Sequence, residues 1–435
     1  MAVSTSVKGV ASQSIFDEEN IQTVGTRLLH MKDDDWGFSQ FAAGMREVGC
    51  SRPPFSDVMP GPLQGVGDAK LINFAPVNFL NLQQREDVMD VIVDATKKLG
   101  IASGGSRMTQ GVSIEHKSME EALAAYHGKE SAVSFGSGAL ANIGFTQMIT
   151  ANQMFNPSLT LDNSDVVMVF DRDCHWSLWK GVESLTYGDR LFSFKHNNVE
   201  HLESVLKDLQ GRRTCVVFES VYSIDGTVAP MHDIVDVCEK YGALSYVDDA
   251  NGFLIYGPSH RNFHREYQGM MRASFIMLSM KKAVGVEGGA VCGTADSTIA
   301  LEPGGTAMFT AGMSAPAAAA TTYIVDLLSN REPQIVDDYL AKVATFRDRL
   351  LAEGMPVYKT DTCFTSVEIG DEKLAFEVYH AYLAEGIHLP IYAYPAAKRK
   401  KAVLRIIIND AHTDEHFDTF FDATRRIRDK YQLGE

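Results

Sequence analysis

The sequence predicts an α/β fold in which helices cover both faces of a mostly parallel sheet. From about residue 83 onward, short β-rich runs alternate with segments that have helical apolar spacing. Carboxylates and small residues follow several of the β-rich runs, and the carboxyl ends of parallel strands are where such sheets bind ligands. The two observations together predict a ligand site along one edge of the sheet.

Seven β-rich runs make up the predicted sheet, and their apolar content is typical of strands buried on both faces. They are residues 132–135, 166–170, 190–194, 215–219, 244–247, 275–278 and 289–292. The predicted helices, from apolar spacing and composition, are residues 87–99, 118–127, 198–209, 231–241, 315–328 and 333–353.

The last part of the chain has its own strands, at residues 365–369 and 403–408, and a closing helix. The sequence therefore predicts an N-terminal arm of residues 1–70, a large domain of residues 71–330 and a smaller α+β domain of residues 331–435. We see no internal repeat or low-complexity segment.

Composition restricts the partners. The chain has 435 residues and a formal net charge of -16, which argues against nucleic acid or an anionic membrane surface. Residues 1–20 are polar and no apolar run reaches the roughly 18 residues of a membrane span. Six cysteines are scattered without a CxxC pair, so neither a disulfide framework nor a metal site is expected. We predict a cytoplasmic protein.

The segment of residues 275–289 contains the first catalytic candidate. An apolar strand there runs into Lys281 and Lys282, which are followed by small residues and glycines. A lysine that loses water has a lowered pKa, and its neutral amine can form an imine with an aldehyde. Taken alone, the segment also fits a strand that ends in two solvated lysines.

A second segment upstream favours the catalytic interpretation. The apolar run 244–247 ends in Asp248 and Asp249, about 34 residues before Lys282. In enzymes that use pyridoxal 5'-phosphate (PLP), a carboxylate at this place keeps the pyridine nitrogen protonated, so that the ring accepts electrons from a carbanion. This spacing of a strand-end Asp and a strand-end Lys is typical of a PLP site.

Four weaker candidates lie at other element ends. The small residues of the loop 135–142 favour a phosphate at a helix start, and His175 is suited to stack on a flat ring. Glu219 and Ser223 could orient a ligand, although the segment also fits an ordinary turn. Arg405 interrupts an apolar strand and suits a substrate carboxylate or an internal acid.

In this order, the segments resemble the α-oxoamine synthase family of fold-type I PLP enzymes, from about residue 71 to the C-terminus. The motifs that carry the resemblance are Asn73-Phe74, Asn78-Phe79-Leu80, Ser103-Gly104-Gly105-Ser106-Arg107, Gly111, His116, Glu120-Glu121-Ala122-Leu123, the loop 135–142, His175-Trp176-Ser177, His196-Asn197-Asn198, and residues 219–226, 248–252, 282–289 and 404–406.

The resemblance implies a role for each matched residue. Lys282 corresponds to the lysine that forms the imine, Asp248 to the partner of the pyridine nitrogen and His175 to the stacking imidazole. The other cofactor-binding positions are Ser137, Gly138, Ala139, Glu219, Ser223, Asn251, Ser279 and Thr310. Thr310 resembles a residue supplied by the second subunit of a homodimer, and Asn78 and Arg405 match the groups that hold the amino-acid carboxylate.

The resemblance further implies a PLP-dependent transferase that forms a carbanion from an α-amino acid and joins it to an electrophile. The expected electrophile is an acyl thioester, carried by coenzyme A or an acyl carrier. The segment 175–179 favours the branch of the autoinducer synthases.

Two departures from the family pattern leave alternatives open. Asp249 and Asn251 stand where the family usually has Glu and His, and the N-terminal region has no match to the part of the family that helps bind coenzyme A. Asparagine donates a hydrogen bond but carries no proton at neutral pH. One alternative is therefore a PLP enzyme that uses S-adenosylmethionine in elimination and C–C bond formation. The other is a non-catalytic subunit, which the presence of Lys282 and Asp248 disfavours.

Overall fold

The structure, a computed structural model, describes residues 33–47, 56, 58–66, 69–257, 263–394 and 396–434. Residues 1–56 and 57–435 form two compact units. The described part of the first unit contains the helices Asp33–Trp36 and Phe38–Glu47. Most of the predicted arm lies outside the described residues, and the predicted domain boundaries stay predictions.

A seven-stranded sheet forms the centre of the second unit. Its strands, in spatial order, are Ser131–Phe135, Gly289–Gly293, Phe275–Ser279, Leu244–Asp248, Thr214–Glu219, Val167–Asp171 and Leu191–Phe194. The strand Gly289–Gly293 runs antiparallel to both of its neighbours, and the other pairs are parallel. The predicted mostly parallel α/β fold is confirmed.

The central strands are buried along their whole length. Every residue of Val167–Asp171, Thr214–Glu219 and Phe275–Ser279 is buried, because helices pack on both faces of the sheet. The helices of eight or more residues in this unit are Glu86–Leu99, Ile114–Tyr126, Gly138–Thr150, Val199–Asp208, Met231–Tyr241, His264–Arg272, Ala315–Asp326, Gln334–Ala352, Glu372–Ala384 and Asp414–Tyr431. Shorter helical turns are Leu82–Gln84, Arg107–Gln110, Trp176–Gly181, Ala295–Leu301, Gly305–Met308 and the π-helical Leu327–Arg331.

Two smaller sheets complete this unit. Thr365–Gly370, Ala402–Ile406 and Ile391–Tyr392 form an antiparallel sheet, with Ala402–Ile406 in its centre. Leu63–Val66 and Ala69–Asn73 pair with each other, and Ala69–Asn73 also pairs with Ile387–His388. Residues 69 and 70, assigned to the arm in the sequence prediction, are thus the start of a strand that pairs with the C-terminal region.

A hairpin that the sequence did not predict follows the helix Gly138–Thr150. Its strands are Asn152–Asn156 and Leu159–Asp162. The second strand is exposed at every residue, so it has no buried apolar face from which to recognise it. None of the helices in the described ranges has the length and apolarity that a membrane crossing requires.

Candidate active site

A cavity of about 160 Å³ opens at the carboxyl ends of the central strands, where parallel sheets bind ligands. Eight of the predicted site residues line it, namely Gly138, Ala139, His175, Glu219, Ser223, Asp248, Ser279 and Lys282. Asn142, Ser177, Ala250, Met277 and Lys281 complete the lining. The topology therefore brings residues that are up to 144 positions apart to one edge of the sheet.

Two carboxylates lie side by side at the floor of this cavity. Glu219 and Asp248 end neighbouring parallel strands in register, and both are almost completely buried. Burial raises the pKa of Glu219 well above its usual range, and the negative charge of Asp248 adds to this effect. Oε1 of Glu219 has no hydrogen-bond partner within the described residues. Glu219 is therefore suited to hold a proton.

Asp249 points away from this cavity. Its Oδ1 accepts a hydrogen bond from the Tyr267 hydroxyl at 3.1 Å, and burial raises its pKa to about 7. Asp249 is absent from the cavity lining in the described structure. The two adjacent acids thus have different environments, and Asp248 is the one that lines the cavity.

The two lysines lie in the turn that follows the strand Phe275–Ser279. Strand alternation therefore does not separate them; their surroundings do. Lys281 is exposed and forms an ion pair with Glu287. Lys282 is partly buried, and desolvation lowers its pKa although Asp248 and Glu219 oppose that change.

The helix start that lines the cavity has the features of an anion site. Ser137 caps the helix Gly138–Thr150 by accepting a hydrogen bond from the N–H of Leu140 at 3.2 Å. A helix start presents backbone N–H groups and a partial positive charge. Ser279 packs directly on Gly138, where an added Cβ would approach the Ser279 Cβ to 3.1 Å. Glycine at position 138 therefore brings the Ser279 hydroxyl to the helix start.

The loop after the strand Thr214–Glu219 is held by the C-terminal antiparallel sheet. Arg405 Nη1 donates to the Ser223 carbonyl at 2.6 Å, and the Ser366 hydroxyl donates to the Ile224 carbonyl at 2.6 Å. A third bond, of 2.9 Å, joins the Thr362 hydroxyl to the Gly226 carbonyl. These three bonds fix the backbone from which Ser223 reaches the cavity.

Arg405 is a buried cation that forms no direct ion pair among the described residues, although the charge of Glu219 acts on it. Its guanidinium lies 4.6 Å from the ring centroid of Tyr392 and 5.5 Å from that of Phe364. Nε makes no hydrogen bond, and burial lowers the pKa of the group. Its positive charge also contributes to the lowered pKa of Lys282. An anion is the ligand that would compensate this charge.

Five predicted residues are not among those that line the cavity, namely Asn78, Ser137, Asn251, Thr310 and Arg405. Asn78 donates from its amide to the Pro60 carbonyl at 3.0 Å, and its buried Oδ1 has no partner among the described atoms. Asn251 donates to the Val221 carbonyl at 2.9 Å. The Thr310 hydroxyl donates to the Thr306 carbonyl.

Sequence reasoning did not single out Asn142, Ser177 or Tyr246 as site residues. The Asn142 amide contacts Asp248 at 2.8 Å and Ser177 at 3.0 Å, and the Tyr246 hydroxyl donates to Asn142 at 2.8 Å. One signal was available in the sequence: Asn142 is an amide within a helix made mainly of small and apolar residues, and such an amide needs hydrogen-bond partners when it is buried.

Comparisons with known proteins identify the family of the chain. Residues 69–423 match the model of the family described as aminotransferase class I and II. An 8-amino-7-oxononanoate synthase from Symbiobacterium thermophilum is 28% identical over 388 residues, which cover 88% of this chain and 95% of the relative.

Solved structures show the same fold. A serine palmitoyltransferase from Sphingomonas wittichii superposes with a TM-score of 0.80 at 23% identity, covering 93% of this chain and 99% of the other. Another serine palmitoyltransferase structure, solved with PLP as the internal aldimine, has a TM-score of 0.79 at 24% identity and the same coverage. The chain therefore belongs to the aminotransferase class I and II family, and within it to the α-oxoamine synthases that its sequence resembles.

Proposed function

We propose that the protein is a PLP-dependent transferase that joins an α-amino acid to an acyl thioester. The observation that carries the proposal is the buried Arg405, which has no ion-pair partner among the described residues and whose charge acts on Lys282, a residue that lines the cavity with Asp248. A buried cation without a counter-ion suits a substrate carboxylate, and a lysine with a lowered pKa suits an aldehyde.

The cavity has the donors and acceptors that PLP requires. Lys282 would hold the cofactor covalently, Asp248 would face its ring nitrogen, and His175 would pack on the ring. The helix start at Gly138 and the Ser279 hydroxyl supply donors for the phosphate. When bound, PLP supplies an electron sink for negative charge on the substrate α-carbon.

The protein's own groups then bind the substrate and move protons. Arg405 would bind the amino-acid carboxylate through the N–H groups of its guanidinium. Lys282 is suited to take up and return the α-proton, because its lowered pKa favours the neutral amine. Glu219, whose raised pKa favours the protonated carboxyl, would hold a second proton beside Asp248.

The name of the serine palmitoyltransferase neighbour states the transfer of a palmitoyl group, which supports an acyl donor as the electrophile. S-Adenosylmethionine remains a second candidate substrate, favoured by Asn251. The amide of this residue is held by the Val221 carbonyl and brings no titratable group to the site.

We further propose that the protein acts as a homodimer in the cytoplasm. The side chains of Ile101, Ile114 and Phe309 are 80%, 56% and 77% exposed. Exposed apolar side chains that lie together are typical of a protein–protein interface. The bridge between Ser106 and Ala311 joins the two segments that carry them. The described cysteines are free buried thiols, as expected in a reducing compartment. Light scattering coupled to gel filtration tests the dimer.

The function is tested by adding PLP and recording visible absorbance, then screening amino acids for exchange of the α-hydrogen with deuterated solvent. Lys282→Ala is the matched inactive control. The amino acid that exchanges is then incubated with acyl-CoA thioesters, and release of free thiol is measured. Exchange without thiol release from any acyl thioester would contradict the proposed electrophile, and no visible band would contradict the proposed enzyme.

A further inference from the structure

Asn142, which lines the cavity, stands at the centre of a largely buried hydrogen-bond network. Its Oδ1 accepts from the Tyr246 hydroxyl at 2.8 Å. Its Nδ2 donates to Asp248 Oδ2 at 2.8 Å and to Ser177 Oγ at 3.0 Å. Ser177 Oγ in turn lies 2.7 Å from Nδ1 of His175. The network therefore connects Asp248 to His175 through the uncharged side chains of Asn142 and Ser177.

The direction of each hydrogen bond follows from the chemistry of the two ends. The Asp248 carboxylate accepts only, so the amide nitrogen of Asn142 must face it and the amide oxygen must face Tyr246. At the other end, the backbone N–H of Ser177 donates to His175 Nδ1 at 3.3 Å. Nδ1 is therefore an acceptor, and the Ser177 hydroxyl donates to it as well.

This directionality leaves the proton of His175 on Nε2. Burial lowers the pKa of His175, which also favours the neutral ring. A neutral ring with an unprotonated Nδ1 can accept both donors of Ser177 at once. The Asn142 amide makes this possible, because by donating to Ser177 Oγ it leaves the Ser177 proton free for His175.

We propose that Asn142 is a positioning residue that orients the Asp248 carboxylate and fixes His175 as the neutral Nε2–H tautomer. The expected effect on PLP binding rests on the proposed function, since Asp248 and His175 would both contact PLP. The network itself exists in the protein without PLP and is tested there. Tyr246 sets the orientation of the Asn142 amide, so it belongs to the same device.

The first experiment measures the tautomer by nitrogen NMR of the cofactor-free protein labelled at histidine. We expect His175 with a protonated Nε2 and a strongly hydrogen-bonded Nδ1. Asn142→Asp has the same size but removes both N–H donors, so the Ser177 hydroxyl should turn to the new carboxylate and the Nδ1 resonance should shift. Thr150→Val is the matched control, because it removes a buried side-chain bond from the same helix. A protonated Nδ1 in the wild type, or an unshifted resonance in Asn142→Asp, would overturn the inference.

The second experiment measures PLP affinity by equilibrium dialysis. At about pH 8, Asn142→Asp should weaken binding by tenfold or more, as expected for the loss of a hydrogen bond to a charged group. At about pH 6 the PLP affinity of Asn142→Asp should approach that of the wild type. Two adjacent carboxyls share a proton at this pH, and that proton replaces the lost donor. Tyr246→Phe removes one hydroxyl and should weaken binding about threefold.

The outcomes separate the two proposals. If the wild type binds no PLP but shows the expected tautomer, the proposed function fails and the network stands. If the wild type binds PLP and Asn142→Asp binds it equally at both pH values, the positioning role fails. Should Asn142→Asp not fold, Tyr246→Phe decides, and unchanged PLP affinity together with an unshifted Nδ1 resonance would overturn the inference.

Discussion

Arg405 donates a hydrogen bond from Nη1 to the carbonyl oxygen of Ser223 at 2.6 Å. This bond joins the middle strand of the C-terminal antiparallel sheet to the loop at the carboxyl end of a central strand. Nη1 is thereby directed to the protein backbone, while Nε has no partner among the described atoms. The residue proposed to bind substrate thus also positions the loop that carries Ser223.

Arg405→Ala should impair amino-acid binding more than cofactor retention. A charge-assisted bond to a buried carboxylate is lost, so we expect the KM for the amino acid to rise by about 10- to 100-fold. Arg405→Lys keeps the positive charge but not the forked geometry, so its KM should lie between those of the wild type and Arg405→Ala. Steady-state kinetics and PLP affinity are measured on the same preparations. Unchanged KM in Arg405→Ala would remove this residue from the substrate site.

A second buried arginine provides the control. Arg347 is as deeply buried as Arg405, but it pairs with Asp361 and donates to the Thr362 carbonyl. Arg347→Lys should therefore affect stability without a selective effect on the KM for the amino acid. An equal rise of KM in both lysine variants would indicate a general disturbance of the C-terminal sheet.

PLP should be attached to Lys282 and not to Lys281. Lys281 is exposed and paired with Glu287, whereas burial lowers the pKa of Lys282 and favours the nucleophilic amine. Borohydride reduction followed by peptide mapping identifies the modified residue. Lys281→Ala should still bind PLP covalently, and Lys282→Ala should not. A label on Lys281 would contradict the proposed orientation of this turn.

Asp248→Asn should retain PLP but lose activity by roughly two orders of magnitude, about 3 kcal/mol in the barrier. The amide cannot hold the negative charge that keeps the ring nitrogen protonated, while the covalent and phosphate contacts persist. Asp249→Asn is the matched control, since its side chain bonds to Tyr267 away from the cavity. Turnover is compared at saturating PLP. Greater damage from Asp249→Asn would reverse the assignment of the two acids.

Asp249 should make the protein less stable as the pH rises. Burial raises its pKa from 3.8 to about 7, so between these values the folded state holds a proton that the unfolded state has released. The free energy of unfolding therefore falls as the pH increases through this window, by up to about 4 kcal/mol at pH values above it.

Asp249→Asn removes this cost and keeps an oxygen for the Tyr267 hydroxyl. We expect a higher urea midpoint than the wild type at about pH 8 and none of this gain at about pH 4. Asp338→Asn, at an exposed position, should show no such pH dependence. If the difference in urea midpoint between Asp249→Asn and the wild type were the same at both pH values, the raised pKa of Asp249 would be contradicted.

Local patterns were sufficient to predict the central sheet and the acid at its edge. Apolar runs mark strands buried on both faces, and a carboxylate at the end of such a run, as at Asp248, lies at the ligand edge by topology alone. The hairpin of residues 152–162 could not be predicted in the same way, because its side chains are largely exposed and have no apolar periodicity that a core imposes.

Contacts between distant segments could not be predicted from local sequence patterns either. The sequence places Lys281 and Lys282 side by side, but only the turn after Ser279 separates their environments. The bonds from Thr362 and Ser366 to the loop 224–226 join residues more than 130 positions apart. No periodicity encodes such pairings, because they depend on how two sheets pack against each other.

Asn251→His introduces the imidazole that the family usually has and should lower turnover roughly tenfold or more, about 1.4 kcal/mol in the barrier. Asn251 is buried and donates to the Val221 carbonyl at 2.9 Å, and its own carbonyl accepts from the Cys363 thiol at 3.6 Å. A larger, titratable ring must displace these neighbours or lose the bond to Val221.

Asn251→Ser is the control for this prediction, because serine is smaller than asparagine and carries no titratable group. If the pocket has been reshaped around asparagine for a partner other than a common acyl thioester, Asn251→His should be the more damaging change. Turnover with the amino acid identified by deuterium exchange is measured for both variants, together with their PLP affinity. Near-normal turnover of Asn251→His with an acyl-CoA would show that the asparagine is a neutral replacement, and would favour ordinary acyl transfer over S-adenosylmethionine chemistry.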